Sequence, residues 1–484
     1  MIMLGLLLLA LTGGAALLVG GNTPLVGGNR AWASQTLPLH ACAAAAAETV
    51  GSAAPAETVD SAPPAASPAY QRVLDASRRG DWEACLTVLD AARAEHTGGL
   101  LARSLHAASL ACSRAGQWET AQELVLELEA TGLKPRIDAY NAVIRAAGRA
   151  RQPAAAVALL GRMREAGTEP NAVSYACAIE GLREARDHAG CVAMLQSMRD
   201  RGVAPNKAAF SSAVAACRLA GKGRVAARLL KDAQAAGLTP TEGDFVSAMT
   251  ACVADKAGQE GVALWNRLRA LEAEGAVPPL SSKPYTAAIA LKAMAADARG
   301  AVELLSQMEA AGLAPDCVAY NTALRACGRA KDLASADALL RRMRAAGVQP
   351  DGYAYAAAIS ACGTKQRRAL ALVAEAEAAA EALGQGPPAL PVYGAALDSC
   401  ARAGAGLEAL GLLRSMRARG VAPDVGCCGA ALHALQAAGE WKEVHELLYT
   451  MRKEGIVTPD TLRDSNKALW NRAKRELGLG SRVK

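Results

Sequence analysis

The thirteen cysteines are the residues of this sequence with the widest choice of chemistry, since a thiol can form a disulfide, hold a metal ion or act as a nucleophile. No two of them stand in the CxxC spacing that zinc sites use. Six recur instead at one position of a unit of about 35 residues: Cys112, Cys217, Cys252, Cys327, Cys362 and Cys400. Such repeated use is typical of a packing position, so we expect buried structural thiols in a reducing compartment.

The histidines and the glycine-rich segments show no catalytic arrangement. The six histidines are scattered: His40, His96, His106, His188, His433 and His445. A zinc deaminase would need an HxE motif followed by CxxC, and a metal-dependent nuclease would need clustered acidic residues. The segment Gly221 to Gly223 lacks the spacing of a phosphate-binding loop. The sequence therefore predicts a protein that is not an enzyme and that uses no metal or other cofactor.

Arginine recurs at the thirteenth residue of the same unit, as Arg79, Arg114, Arg149, Arg329 and Arg402. Cations at a fixed spacing can follow the phosphates of a single strand, and binding then weakens with salt by a slope of about 0.7 per phosphate. Alternatively, each arginine lies at a helix C-terminus and complements the helix dipole. Both explanations stay open, and the net charge of +7 suits a polyanion partner without proving one.

The segment 317–351 shows the element that carries these positions. Its apolar residues recur at helical spacing in two runs: Tyr320, Leu324 and Cys327, then Ala336, Leu339, Leu340 and Met343. A turn from Gly328 to Asp332 is expected between the two helices. Gly347 is suited to a left-handed cap that ends the second helix, and Pro350 cannot continue it. The unit is therefore predicted to be a helical hairpin.

Eleven such hairpins are predicted between residues 67 and 460. The segment AYNAVIRAAGRA (139–150), for example, nearly repeats AYNTALRACGRA (319–330). The units are 67–101, 102–136, 137–171, 172–206, 207–241, 242–281, 282–316, 317–351, 352–389, 390–424 and 425–460. A single hairpin leaves its apolar faces uncovered, so the units must stack into an all-α solenoid. With 52% apolar but only 4% aromatic residues, the composition favours helices packed closely through small side chains.

Two segments of different composition precede the hairpins. Residues 1–20 are apolar and uncharged, which predicts a signal-like segment or, alternatively, a membrane anchor. Residues 21–66 are rich in Ala, Pro, Ser and Gly, which predicts a disordered linker or an organelle-targeting segment. A signal followed by such a segment is typical of a bipartite targeting sequence and favours a plastid location, with the mitochondrion as the alternative.

The C-terminal segment, residues 461–484, is amphipathic. Leu469, Trp470 and Leu477 share one helical face, and basic residues such as Lys467 and Arg475 occupy the others. Solenoids need a piece of this kind to cover the last apolar face. We expect a capping helix with a basic tail, and an independent RNA-binding tail is the alternative.

These hairpins resemble the pentatricopeptide repeat, and the resemblance covers residues 67–460. It rests on an aromatic residue followed by Asn in the first helix, LLxxM in the second and a Gly-x-x-Pro-Asp ending. AYNAVIRAAGRA with MREAGTEPN and AYNTALRACGRA with MRAAGVQPD are the best-formed examples. The related tetratricopeptide repeat, a peptide-binding module, lacks this ending and prefers bulkier aromatic residues in its first helix.

The resemblance implies a right-handed superhelix of P-type-like repeats without an added catalytic domain. Members of the family bind single-stranded RNA in organelles, one base per repeat. We therefore expect a monomer that binds an organelle transcript and acts in its stabilisation, processing, splicing or translation, alongside other RNA-processing proteins. The alternative function is a helical-repeat scaffold that binds a protein partner.

The resemblance also implies which residues contact RNA. In the family, the fifth and the last residue of each unit select the base. The better-formed pairs are Asn141 with Asn171, Thr286 with Asp316 and Asn321 with Asp351, which by the family's preferences select a pyrimidine, a guanine and a uracil. Ser211 with Thr241 is a looser pair, whereas Ala176 with Asn206 and Gly394 with Asp424 keep only the last side chain.

The family's second position sandwiches the bases, and Val173 and Val318 suit that role. Arg149 and Arg329 are the expected phosphate contacts. The alternative for Asn141, Thr286 and Asn321 is that they are solvated residues on an outer helix face. Because some units lack a polar fifth residue, the sequence does not specify a unique target.

Overall fold

The structure is a computed structural model that describes residues 68–95, 99–132, 134–382, 384, 386–454, 472 and 476. The predicted signal-like segment 1–20 and the predicted linker 21–66 lie outside these residues, as does nearly all of the predicted cap 461–484. Within the described ranges there is no strand, and no helix there is both long and apolar enough to cross a membrane.

The described residues form eleven helical hairpins in sequence order. Their first helices are α1 (Pro68–Arg79), α3 (Gly99–Ala115), α5 (Ile137–Arg149), α7 (Ala172–Glu184), α9 (Lys207–Leu219), α11 (Glu242–Ala254), α13 (Ser282–Met294), α15 (Cys317–Ala330), α17 (Gly352–Ala361), α19 (Leu390–Ala403) and α21 (Val425–Ala438). Their second helices are α2 (Trp82–Glu95), α4 (Trp118–Ala130), α6 (Pro153–Glu165), α8 (His188–Asp200), α10 (Gly223–Ala235), α12 (Gly258–Ala273), α14 (Ala298–Ala310), α16 (Leu333–Ala345), α18 (Gln366–Ala382), α20 (Gly406–Ala418) and α22 (Trp441–Lys453). The predicted fold class, an all-α solenoid of eleven stacked helix-turn-helix units, is thereby confirmed for this part of the chain.

The starts of the first helices follow the predicted units closely. From α5 to α21 every first helix begins at the first residue of its unit, and only α1 and α3 begin elsewhere, at Pro68 and Gly99. Gly347 adopts φ +74° just after α16, and its N–H donates to the Arg344 carbonyl, as expected of a left-handed cap. The unit register can therefore be used to compare equivalent positions along the array.

The turn predicted from Gly328 to Asp332 was too long. The helix α15 continues to Ala330, Lys331 alone takes the left-handed conformation, and Asp332 caps α16. Gly328 lies inside the helix because α15 and α17 approach closely there: a Cβ at this residue would lie 2.8 Å from the Ala357 carbonyl oxygen. The glycine thus serves helix packing, and sequence alone could not distinguish that from a turn.

The two kinds of helix pack differently. Each first helix packs directly against the next first helix, all the way from α1 to α21. Among the described second helices, only α10 with α12 and α14 with α16 bring their backbones close together. The first helices therefore form one continuous layer, and its packing sets the spacing of the units.

Exposed ion pairs link several of the second helices to one another. The Arg93 guanidinium bonds the Glu127 carboxylate at 2.8 Å, and Arg417 bonds Glu454 at 2.7 Å. Exposed pairs of this kind contribute about 1 kcal/mol or less each. The second helices are thus joined mainly through the first-helix layer, because each packs against its own first helix and against the first helix of the next unit.

Candidate nucleic-acid interface

One face of the first-helix layer carries the predicted RNA contacts. At 100° per residue, the second, ninth and thirteenth residues of a unit point in nearly the same direction, and the fifth lies about 60° away. We call the surface formed by these four positions the first-helix face. Because the first helices pack side by side, equivalent residues of successive units lie in rows along it.

The fifth residues share one depth in this face. Each follows the residue at position four, which is buried in the core, as Tyr140, Tyr285 and Tyr320 are. The fifth residue itself is half-buried in five of the predicted sites: Ala176, Ser211, Thr286, Asn321 and Gly394. Asn141 lies deeper, with 9% of its surface exposed. A row of half-buried positions can contact a strand laid across the helices, with side chains in some units and none in others.

The last residue of most units has a structural role that the sequence analysis missed. Its side chain caps the next first helix, since Asp316 accepts the Ala319 N–H at 2.8 Å and Asn206 accepts the Ala209 N–H at 2.9 Å. The same arrangement holds at Asn171, Thr241, Asp351 and Asp424. Asp, Asn or Thr directly before a predicted helix was the available signal. Capping fixes the orientation of these side chains beside the fifth residues.

In unit 317–351 the two predicted selecting residues contact each other. The Asn321 Nδ2 donates to both carboxylate oxygens of Asp351, at 3.0 and 3.1 Å. The Cys317 thiol donates to the same carboxylate at 3.4 Å. Burial, reinforced by the charge of Asp351, raises the pKa of Cys317 to about 11, so the thiol remains a donor at neutral pH. The cluster is a preorganised polar site on the first-helix face.

The carbonyl oxygens of two predicted contact residues are buried and lack a hydrogen-bond partner: Asn141 Oδ1 and Asn321 Oδ1. A carboxylate only accepts, so Asp351 holds the Asn321 amide by its nitrogen and leaves the buried oxygen without a partner. Unsatisfied buried polar atoms are rare in native proteins and call for an explanation. A ligand that donates an N–H would satisfy this oxygen, and it reaches the oxygen only when the side chain turns toward the surface.

The other predicted pairs are less closely joined. Thr286 donates its hydroxyl to the Ser282 carbonyl at 3.1 Å, which leaves its oxygen lone pairs available. Among the described contacts, no hydrogen bond links Asn141 to Asn171 or Thr286 to Asp316. These two pairs therefore lack the direct bond that joins Asn321 to Asp351.

The second position presents apolar side chains to solvent. Val173 is 46% exposed and Val318 is 59% exposed. Tyr353, which holds the same position in the next unit, is 56% exposed and was missed by the sequence analysis. Its place directly after the first residue of unit 352–389 was the available signal. An exposed aromatic ring in this row can stack on a nucleobase.

A groove of about 950 Å³ runs across the first-helix face of the last four units. Ser360, Asp398 and His433, the ninth residues of three successive units, line it together with Arg402 and Lys331. The groove thus crosses several helices, as an extended ligand would. Its lining contains two basic side chains and one carboxylate, which favours an anionic occupant.

The recurrent arginines are all exposed, but they differ in their contacts. Arg114 donates to the Ser77 carbonyl at the end of α1 and to the Ser77 hydroxyl, which supports the helix-terminus explanation there. Arg402 donates to the Asp398 carbonyl within its own helix. Arg149 and Arg329 take part in no ion pair within the described structure. Both explanations of this row therefore remain, each for different members.

The cysteines behave as packing residues. Of the twelve that the structure describes, eleven are buried and Cys317 is half-buried. Burial raises the pKa of Cys252 and of Cys327 to about 12, so both are neutral thiols at physiological pH. Within the described ranges, no three His, Cys, Asp or Glu side chains come together as a metal site would require.

Family models that describe pentatricopeptide repeats match several segments of the chain. The pentacotripeptide-repeat region of PRORP matches residues 61–236, the pentatricopeptide repeat domain matches 303–365 and 411–461, and the PPR repeat matches 391–421. Among curated proteins, none matches the chain.

Several solved structures of pentatricopeptide repeat proteins are similar to this chain. The pentatricopeptide repeat protein PPR10 in complex with an 18-nt psaJ RNA element is 22% identical over 84% of this chain and 56% of that chain, with a TM-score of 0.39. PPR10 from maize is 18% identical over 85% and 88%, with a TM-score of 0.27. The PPR domain of Arabidopsis thaliana protein-only RNase P 1 in complex with tRNA is 16% identical over 33% and 84%, with a TM-score of 0.30. This chain thus spans little more than half of the first of these proteins.

Proposed function

Because the chain belongs to the pentatricopeptide repeat family, we propose that it binds single-stranded RNA along the first-helix face. The observation that carries the proposal is the cluster of Asn321 and Asp351, where a buried amide oxygen is held without a partner. Exposed Val318 and Tyr353 stand in the second-position row beside it. A base can stack on such side chains while its edge meets the amide.

The cluster also supports a base preference. Its free Asn321 oxygen accepts a hydrogen bond, and uracil offers the N3–H that matches it. Cytosine carries a lone pair at the equivalent ring nitrogen, so that nitrogen would face the oxygen without a proton between them. A buried acceptor left unpaired costs about 1 to 3 kcal/mol. Uracil should therefore be preferred over cytosine by roughly 5-fold to 150-fold at this unit.

The proposed action is binding without catalysis. An extended RNA held across the units is prevented from pairing with itself, and its backbone is partly covered. Such binding stabilises a transcript or presents it to processing, splicing or translation factors. A plastid location, with the mitochondrion as the alternative, is supported only by the composition of residues 1–66.

One observation favours a second candidate function, a protein-binding scaffold. Several fifth positions carry no hydrogen-bonding side chain: Ala176, Val246, Ala356, Gly394 and Gly429. Units of this kind cannot select a base through that position. Apolar fifth residues suit contact with a protein surface instead.

Binding to random single-stranded RNA at two salt concentrations separates the two functions. RNA binding by charge and base contact should weaken as salt rises, and Asn321→Ala together with Thr286→Ala should change the sequences selected from the pool. The matched control is Thr322→Ala, at a neighbouring half-buried residue outside the fifth position whose hydroxyl bonds its own helix at the Val318 carbonyl. Absence of RNA binding at low salt would refute the proposal and favour the scaffold.

A further inference from the structure

A residue in the left-handed conformation joins the first helix of each hairpin to the second. We call these the joint residues, and six of the eleven are glycine: Gly80, Gly116, Gly221, Gly363, Gly404 and Gly439. The other five are Arg151, Arg186, Lys256, Ala296 and Lys331, with φ between 53° and 60°. Only glycine adopts this conformation without steric strain. Four strained joints therefore carry a cation where glycine would join the helices with less strain.

The joint cations are open to a ligand. Arg151, Arg186 and Lys256 are exposed, and none of them takes part in an ion pair within the described residues. The acidic residues beside them are already engaged: Asp187 accepts the Gly190 N–H at 2.8 Å and Asp332 accepts the Ser335 N–H at 3.1 Å, each as a helix cap. Their carboxylates are thus oriented toward the helix termini.

The best-defined joint cation faces the proposed RNA surface. Lys331 lines the groove of about 950 Å³ together with Arg402 and Asp398, and its Nζ donates to the Ser360 carbonyl at 2.9 Å. Partial burial and the nearby charge of Arg402 lower the pKa of Lys331, while Asp398 opposes that shift. Two cations from alternate units therefore converge on one groove. By the equivalence of the units, the other joint cations border the same face.

Two of the four joint cations fill gaps in the row of arginines, whereas Arg151 and Lys331 lie in units that already carry Arg149 and Arg329. Units 172–206 and 242–281 have Glu184 and Ala254 at the thirteenth position, and they carry Arg186 and Lys256 two residues later. A cation is thereby supplied at the same end of the first helix in units that lack the arginine.

We propose that Arg151, Arg186, Lys256 and Lys331 bind backbone phosphates of the RNA strand on the first-helix face. This inference rests on the proposed function and assigns to the joints a role that the turn itself does not require. The competing explanation is that each cation complements the C-terminal dipole of its first helix. That explanation predicts a loss of stability on replacement and no change in RNA binding.

The test replaces all four joint cations with glycine in the full chain. Removal of left-handed strain should leave the melting temperature unchanged or raise it. The slope of log affinity for a random single-stranded RNA pool against log salt should fall by up to about 2.8, since each phosphate contact contributes about 0.7. Ala296→Lys should raise the slope by about 0.7, with Ala296→Gly as its uncharged control.

The outcomes separate the two proposals. An unchanged salt slope in the fourfold variant, with or without a lower melting temperature, would overturn the role of the joint cations while leaving RNA binding in place. Failure of the original chain to bind RNA would overturn both. A reduced slope together with a base preference that still depends on Asn321 would support both, because that residue is not altered.

Discussion

Two glycines of the same unit should respond in opposite ways to the same substitution. Gly148 lies in α5 where it meets α7, and an alanine Cβ there would be 2.7 Å from the Gly181 Cα. Ordinary contact between carbon atoms requires about 3.7 Å. The atoms nearest to the added Cβ belong to the backbone of Gly181 and cannot turn away, so the two helices must separate by roughly 1 Å. Gly161 lies in α6, where the nearest atom, a terminal nitrogen of Arg164, is 3.8 Å from the added Cβ.

The magnitudes follow from these distances. Overpacking against backbone costs about 1 to 3 kcal/mol, and the better helix propensity of alanine offsets up to about 1 kcal/mol of it. We therefore expect Gly148→Ala to destabilise the array by about 1 to 2 kcal/mol. Gly161→Ala meets no obstacle and should stabilise it by about 0.5 to 1 kcal/mol.

Denaturant unfolding combined with peptide-resolved hydrogen exchange measures both effects. Because each unit of a solenoid contacts only its neighbours, faster exchange in Gly148→Ala should concentrate in α5 and α7. Gly161→Ala is the matched control, since it adds the same methyl group to the same hairpin. Equal stabilisation by the two substitutions would refute the inference that backbone contact between first helices sets the spacing of the units.

Three further substitutions or conditions test the site and the core. Asp351→Ala should destabilise α17 by about 1 kcal/mol in unfolding measurements, because it removes the N-cap and the partner of Asn321. Asp351→Asn should keep the cap and alter the base preference. Tyr353→Ala should weaken RNA binding by about 1 to 3 kcal/mol in a titration, while Tyr353→Phe should preserve it, because only the ring is needed for stacking. The stability of the array should fall between about pH 9 and pH 12. Buried thiols such as Cys252 and Cys327 have pKa values of about 12 in the folded chain, so they stay protonated at a pH where the same thiols of the unfolded chain have lost their protons. Raising the pH therefore favours the unfolded chain. Unfolding at pH 7 and pH 10 checks the last result, and equal stability at both would contradict it.

The sequence predicted the fold almost completely because helical periodicity and the repeat period indicate the same elements. The starts of nine first helices and the burial of the repeated cysteines could be derived in this way. The turn after Gly328 could not, because a glycine inside a helix and a glycine in a turn look alike until the neighbouring helix is in place.

For the candidate site, the sequence predicted which residues take part but not which of them contact one another. The bond between Asn321 and Asp351 joins residues 30 apart, and the capping role of the last residues depends on where the next helix begins. The exposure of Tyr353 needed only the register, which was available from the sequence. The strained joint cations could not be seen in advance, since left-handed backbone at Arg151 or Lys331 follows from the packing of both helices.

Photo-crosslinking tests most directly whether RNA lies on the first-helix face. The full chain would be crosslinked to random single-stranded RNA that contains 4-thiouridine, and the attached peptides would be identified by mass spectrometry. We expect crosslinks at the second and fifth positions of first helices, above all near Val318, Asn321 and Tyr353. Crosslinks confined to second helices such as α14 and α16 would contradict this account of the protein.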